Sequence, residues 1–148
     1  FAQGVKIFQD TCPGLVAEIE AGRLSGTRTR TILETALLPM LAEGIDTIVL
    51  GCTHYPFVIP LIEEISGPNV RVIDPAPAVA RQIERVSAAK GISYHGSETG
   101  EDAKPVRVFY TTGQPEQLSQ LLPILFGEPG QVGKLNWEEG QLVLPASL

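Results

Sequence analysis

Apolar residues along this chain gather in short clusters divided by Gly, Pro and polar turns, and the spacing within the clusters alternates between two kinds. Val5-Lys6-Ile7-Phe8-Gln9 reads as a strand. Helical spacing follows over residues 14–21 and again over residues 27–43, where Pro39 removes one backbone donor and is expected to kink or fray the last turn before Gly44. Thr47-Ile48-Val49-Leu50 has the look of a fully covered parallel strand. Residues 57–65 then read as a helix with Pro60 in its opening turn, ended by Gly67-Pro68. Val70-Arg71-Val72-Ile73 is a further strand, and Val79, Ile83 and Val86 set a helix over residues 78–90. Residues 91–105 are polar and Gly-rich and read as a mobile loop. Val106-Arg107-Val108-Phe109-Tyr110 is the last strand, followed by a helix over residues 114–126 and a short apolar segment near Leu135; residues 138–148 carry little signal. Strands alternating with helices predict an α/β fold built on a parallel sheet.

Composition narrows the function classes. The 148 residues are 43% hydrophobic, enough for a core without staples. No apolar run approaches the about 20 residues of a membrane span, no basic-then-apolar leader opens the chain, and a cytoplasmic location is the expectation. The only cysteines are Cys12 and Cys52, too few for a disulfide framework, so both are expected reduced. A net charge of −6 argues against direct nucleic-acid binding, and the local group Arg23, Arg28, Arg30 reads as a solvated helix face. The first residue is Phe1, and the chain has the look of a piece cut from something longer.

Chemistry concentrates where the second strand ends, at Gly51-Cys52-Thr53-His54-Tyr55-Pro56. Ligands bind beyond the carboxyl ends of parallel strands, so Cys52, Thr53 and His54 would face a cleft. A Cys at the end of a strand is, taken alone, more often a small core hydrophobe than a nucleophile; the adjacent Thr-His-Tyr-Pro argues for the second role. Cys12 keeps the structural reading. His95 is most simply an exposed polar residue, Thr111-Thr112-Gly113 a plain turn, and a metal site from Cys12, Cys52, His54 and His95 finds no close ligand spacing beyond Cys52-x-His54, so no metal is expected.

The Gly-Cys-Thr-His-Tyr-Pro stretch resembles the C-terminal cysteine motif of the glutamate racemases, bacterial enzymes of the aspartate/glutamate racemase superfamily that invert glutamate without a cofactor. Cys12-Pro13 with Leu15, Val16 and Glu20, then Val72-Ile73-Asp74-Pro75 and Phe109-Tyr110-Thr111-Thr112-Gly113, resemble other segments of that family, so the likeness runs from Val5 to about Phe126. It implies a two-cysteine reaction in which a thiolate takes the α-proton on one face and a thiol gives one on the other. By the resemblance, Cys52 is the catalytic cysteine that acts on L-glutamate, Thr53 and His54 contact the substrate, and Glu20 is the carboxylate that orients His54, with Glu18 a rival for that place. His54 would also serve the acid–base chemistry beside Cys52.

The same resemblance points to what this sequence lacks. The family carries its first catalytic cysteine, an Asp-Ser pair and an Asn-Thr pair in an N-terminal half, and no such motifs occur here; Cys12 lies in an additional Cys-Pro segment and does not stand in for that cysteine. The expected organisation is a segment 1–74 bearing the Cys-Thr-His motif and a return segment 75–148 that packs on the missing N-terminal racemase domain. The implied function is glutamate racemisation supplying D-glutamate for peptidoglycan and cell shape, with this chain inactive alone. Glutamate and the missing domain are the expected partners, with a homodimer left open. Two alternatives stand beside it: an aspartate or related amino-acid racemase, against which His54 counts, and a non-catalytic protein-binding role such as gyrase inhibition.

Overall fold

The computed structural model describes residues 4–92 and 107–144. His95, most of the expected 91–105 loop, Val106 and residues 145–148 lie outside the described residues. The chain divides into two compact units, Phe1–Ser93 and Tyr94–Leu148.

The first unit runs α1 (Leu15–Glu20), α2 (Thr27–Ala42), β1 (Thr47–Val49), a 3-10 turn (Tyr55–Val58), α3 (Ile59–Ser66), β2 (Arg71–Ile73) and α4 (Ala76–Ala89). Strands β1 and β2 pair in parallel, Thr47 opposite Arg71 and Val49 opposite Ile73, with α3 as the crossover between them. The Leu50 amide extends the ladder by donating to the Ile73 carbonyl at 3.0 Å. The core lies among the helices: Leu15 and Ile19 of α1, Leu33, Ala36 and Leu37 of α2, Leu61 and Ile62 of α3, with Leu50 and Val58 joining them. Leu33, Ala36 and Leu37 fall at the i, i+3, i+4 spacing that makes one stripe of a helix, and α2 packs against both α1 and α3 through it. Pro39 does not end α2, which continues to Ala42.

Three expectations change here. Residues 5–9 do not form a strand: Val5 and Ile7 are exposed, and Lys6 reaches Glu43 at 2.6 Å while lying 4.6 Å from the Phe8 ring centre. A strand needs a neighbour to accept its ladder, and the β1–β2 sheet has only its two members among the described residues. Nor is β1 covered on both faces, since Val49 is 65% exposed and only Leu50, just past its end, is buried. Finally, the helix expected over 78–90 starts earlier, at Ala76, directly after an Asx turn in which the Asp74 carboxylate accepts the Ala76 amide at 2.9 Å.

The second unit is another parallel β-α-β arrangement, β3 (Phe109–Thr111), α5 (Pro115–Leu125) and β4 (Val132–Lys134), followed by an antiparallel hairpin of β5 (Asn136–Glu138) and β6 (Gln141–Val143). Leu122 is its buried centre, and the Phe109 and Phe126 rings meet edge to face at 5.9 Å. The strand expected over 106–110 starts at Phe109, and β4 and the hairpin occupy a stretch that gave little strand signal as sequence. Its turn is Glu139-Gly140 with φ of 49° and 80°, the two left-handed residues a tight hairpin needs, but with Glu where Asn or Asp would have announced it.

Candidate functional site

The site lies in the first unit, where the C-terminal end of β1 meets the C-terminal end of α1. β1 ends at Val49, the chain passes through Leu50 and Gly51, and a 3-10 turn begins at Tyr55, its Phe57 amide bonded to the His54 carbonyl at 3.2 Å. Val58, buried in the core, anchors that turn. Cys52 and His54 are therefore carried on a short connection fixed at both ends, and both are half-buried; Thr53, between them, is exposed. α1 approaches from the other side. Leu15 and Ile19 are fully buried and seat it, and the helix packs against the 3-10 turn, leaving Glu20 at its last position facing His54.

The resulting contacts run in a line. His54 Nδ1 lies 3.9 Å from Cys52 Sγ, and His54 Nε2 lies 3.3 Å from Glu20 Oε1. One ring nitrogen thus meets the thiol and the other the carboxylate. With Glu20 accepting a hydrogen bond from Nε2–H, the neutral ring presents Nδ1 as an acceptor to the thiol, and the protonated ring presents a donor to a thiolate. The structure brings Cys52, His54 and Glu20 together, and Thr53 stands beside them. Glu18, the rival to Glu20, points elsewhere: it is buried and bonded to Arg23.

Cys12 and Tyr55 complete the surroundings. The Cys12 amide donates to the Tyr55 hydroxyl at 3.4 Å, and Cys12 is half-buried. Burial, chiefly, and the charges of Asp10 and Cys52 push the Cys12 thiol above its ordinary range, against a lowering by its hydrogen bond with Tyr55. Burial also raises the Tyr55 phenol. Tyr55 was not among the residues picked from the sequence, although a half-buried tyrosine hydroxyl requires a partner and its place one residue after His54 was the available signal. Among the described residues no group of three or more His, Cys, Asp and Glu side chains is placed to hold a metal ion.

A parallel β-α-β unit with a Cys-x-His pair just beyond the first strand defines a class of α/β protein whose chemistry sits at strand ends. The chain belongs to the Asp/Glu/hydantoin racemase family, which its residues 6–83 match. It is 49% identical over 135 residues to the glutamate racemase of Pseudomonas aeruginosa, covering 91% of this chain and 49% of that protein. Its fold superposes on the crystal structure of a glutamate racemase isoform from Bacillus anthracis with a TM-score of 0.68 at 28% identity, covering 84% of this chain and 45% of that one. A glutamate racemase from Thermus thermophilus, solved with β-chloro-D-alanine, gives a TM-score of 0.63 at 25% identity over 83% of this chain and 45% of that one. The α/β fold with parallel strands is that of the glutamate racemase structures. The chain spans about half the length of the curated relatives it matches.

Proposed function

We propose that this chain carries one half of a cofactor-independent glutamate racemase, with Cys52 as the proton-transferring thiol for one face of the α-carbon. The observation that carries the reading is the line Cys52–His54–Glu20, with contacts of 3.9 and 3.3 Å on opposite nitrogens of one imidazole. Abstraction from an amino-acid α-carbon needs a thiolate, which a neighbouring cationic or donor group must favour, and His54 is that neighbour. In the proposed step the Cys52 thiolate takes the α-proton of L-glutamate, becoming a thiol, and a carbanion stabilised only by the carboxylate is left. Inversion requires a proton delivered to the opposite face by a second acid. We assign that acid to the complementary N-terminal half of a complete racemase, and Thr53 and His54 to substrate contact. The reading carries with it a cytoplasmic role in supplying D-glutamate for peptidoglycan.

The test follows L-glutamate incubated with the chain in D2O, by NMR of the α-position and by circular dichroism. The expected outcome is slow α-deuteration with retention, lost in Cys52→Ala, and no accumulation of D-glutamate, because only one face has its acid–base group and orientation by half a cleft is poor. Sustained production of D-glutamate would overturn the assignment of the second acid to another half. Deuteration that survives Cys52→Ala would overturn the role of Cys52.

A further inference from the structure

We propose that the buried carboxylate of Glu18 is a positioning residue for this site: together with Arg23 and Thr29 it closes the C-terminal end of α1 into a clamp that holds Glu20 against His54. The inference rests on the reading above, in which Glu20 orients His54.

α1 has six residues, far short of the length at which a helix persists by itself, so the place of its last residue depends on what ties its end. The tie is a reversal at Gly22, whose φ is 70°. The Gly22 amide donates to the Ile19 carbonyl at 2.8 Å and the Arg23 amide to the Glu18 carbonyl at 2.9 Å, the paired bonds of a Schellman ending. Such endings are commonly sealed by an apolar contact between the two residues that here are Glu18 and Arg23. In this chain the seal is ionic. The Glu18 carboxylate, 2% exposed as a residue, accepts from Arg23 Nε at 2.6 Å and from Arg23 Nη2 at 3.0 Å, and Arg28 Nε lies 3.4 Å away. Backbone and side chain of the same two residues are thus bonded twice over, and Glu20 lies inside the loop they close. Arg23 is fastened in turn to α2: the fully buried Thr29 hydroxyl donates to the Arg23 carbonyl at 2.5 Å. The bonds run from the α2 stripe through Arg23 to Glu18.

A planar guanidinium gripping a carboxylate with two donors fixes direction as well as distance, which an apolar contact at the same place would not do. Only the carboxylate of the pair is buried, the Arg23 side chain being 56% exposed, so the pair is weak evidence for stability but can set geometry. The charge within the fork also gives the pair a reason to stay formed, since the Arg23 hydrogen bond, with the Arg23 and Arg28 charges, holds the Glu18 carboxyl below its usual range against its burial.

The experiment reads Cys52, not turnover, and so is separate from whether the chain acts on glutamate. The rate of Cys52 alkylation by iodoacetamide is followed by peptide mapping in the 148-residue chain and in Glu20→Gln, Glu18→Gln, the double variant, Thr29→Val and Thr29→Ser, with circular dichroism confirming the fold of each. Glu20→Gln, Glu18→Gln and Thr29→Val are each expected to slow Cys52 by about tenfold, the scale set by the outer partners of a functional imidazole. Thr29→Ser, which keeps the hydroxyl, should restore the parent rate, and Glu18→Gln should add nothing once Glu20 is already Gln, because it acts through Glu20. If Glu18→Gln slows Cys52 equally in both backgrounds, or leaves it unchanged while Glu20→Gln slows it, the clamp is overturned and the Cys52–His54–Glu20 reading stands. If Glu20→Gln has no effect, both are overturned. Should Glu18→Gln fail to fold, the Thr29→Val and Thr29→Ser pair decides: equal rates for the two overturn the clamp.

Discussion

Glu18 and Glu20 stand two residues apart on α1, and a helix turns about 100° per residue, so their side chains leave it on nearly opposite sides. One enters the packed region beside Arg23 and the other reaches His54. The difference has a pH signature. In the folded chain the Glu18 carboxyl is held low by Arg23, while an unfolded Glu titrates near about 4.3. A carboxylate with a depressed folded pKa contributes stability that is present above the unfolded value and is lost as pH falls through the folded one. Thermal melts between neutral and acid pH should therefore show the parent chain losing stability relative to Glu18→Gln below the unfolded titration; a difference that stays constant with pH would remove this linkage. The two thiols separate on similar grounds. Burial and nearby negative charge keep Cys12 neutral, so iodoacetamide at neutral pH should label Cys52 first in the folded chain. Labelling of Cys12 first would overturn the proposal that Cys52 is the reactive thiol of the pair.

Among the elements, the helices of the first unit and the β-α-β crossovers were legible because their apolar stripes and their Gly and Pro boundaries are local. α2 carries Leu33, Ala36 and Leu37 at helical spacing, and Gly67, with φ of 77°, ends α3 where the sequence has Gly-Pro. Strands were less legible, since a strand is decided by its neighbour: Val5 and Ile7 alternate as a strand would and pair with no strand among the described residues, while Gln141–Val143 pairs with Asn136–Glu138 and showed little pattern. Glycines mark another decision made by neighbours. A Cβ on Gly133 would lie 2.6 Å from the Tyr110 ring, and Gly133 pairs directly with Tyr110 across β3 and β4. Gly133→Ala should destabilise the second unit by about 1–3 kcal/mol, the usual cost of forcing an extra methyl into a packed place. Denaturant unfolding followed by Trp137 fluorescence checks this, and an unchanged midpoint would show that the ring moves aside without cost.

At the scale of the whole molecule, buried and exposed apolar residues have different meanings. Leu33 is 2% exposed at the centre of the helical core, whereas Val79, Ile83 and Val86 form a stripe on α4, a helix with no buried residue. Leu33→Ala should cost about 2–5 kcal/mol and Ile83→Ser less than about 0.5 kcal/mol in equilibrium unfolding of this chain. A large loss for Ile83→Ser would show that its stripe is covered in solution. The α4 stripe and the exposed Val49 accompany a chain that spans about half the length of its relatives, and they are the places where its pattern promised more cover than its own described residues provide. By itself the sequence determined the α/β alternation and the helix ends marked by Gly and Pro, and it singled out Cys52-Thr53-His54 as the candidate site, because periodicity and motif are written in neighbouring residues. It also named Glu20, but left Glu18 beside it as a rival. Only the tertiary structure set Glu20 against His54 and Glu18 against Arg23, left residues 5–9 without a strand partner among the described residues, and placed Tyr55 against Cys12, because each of these depends on which surfaces meet after the chain has folded back on itself.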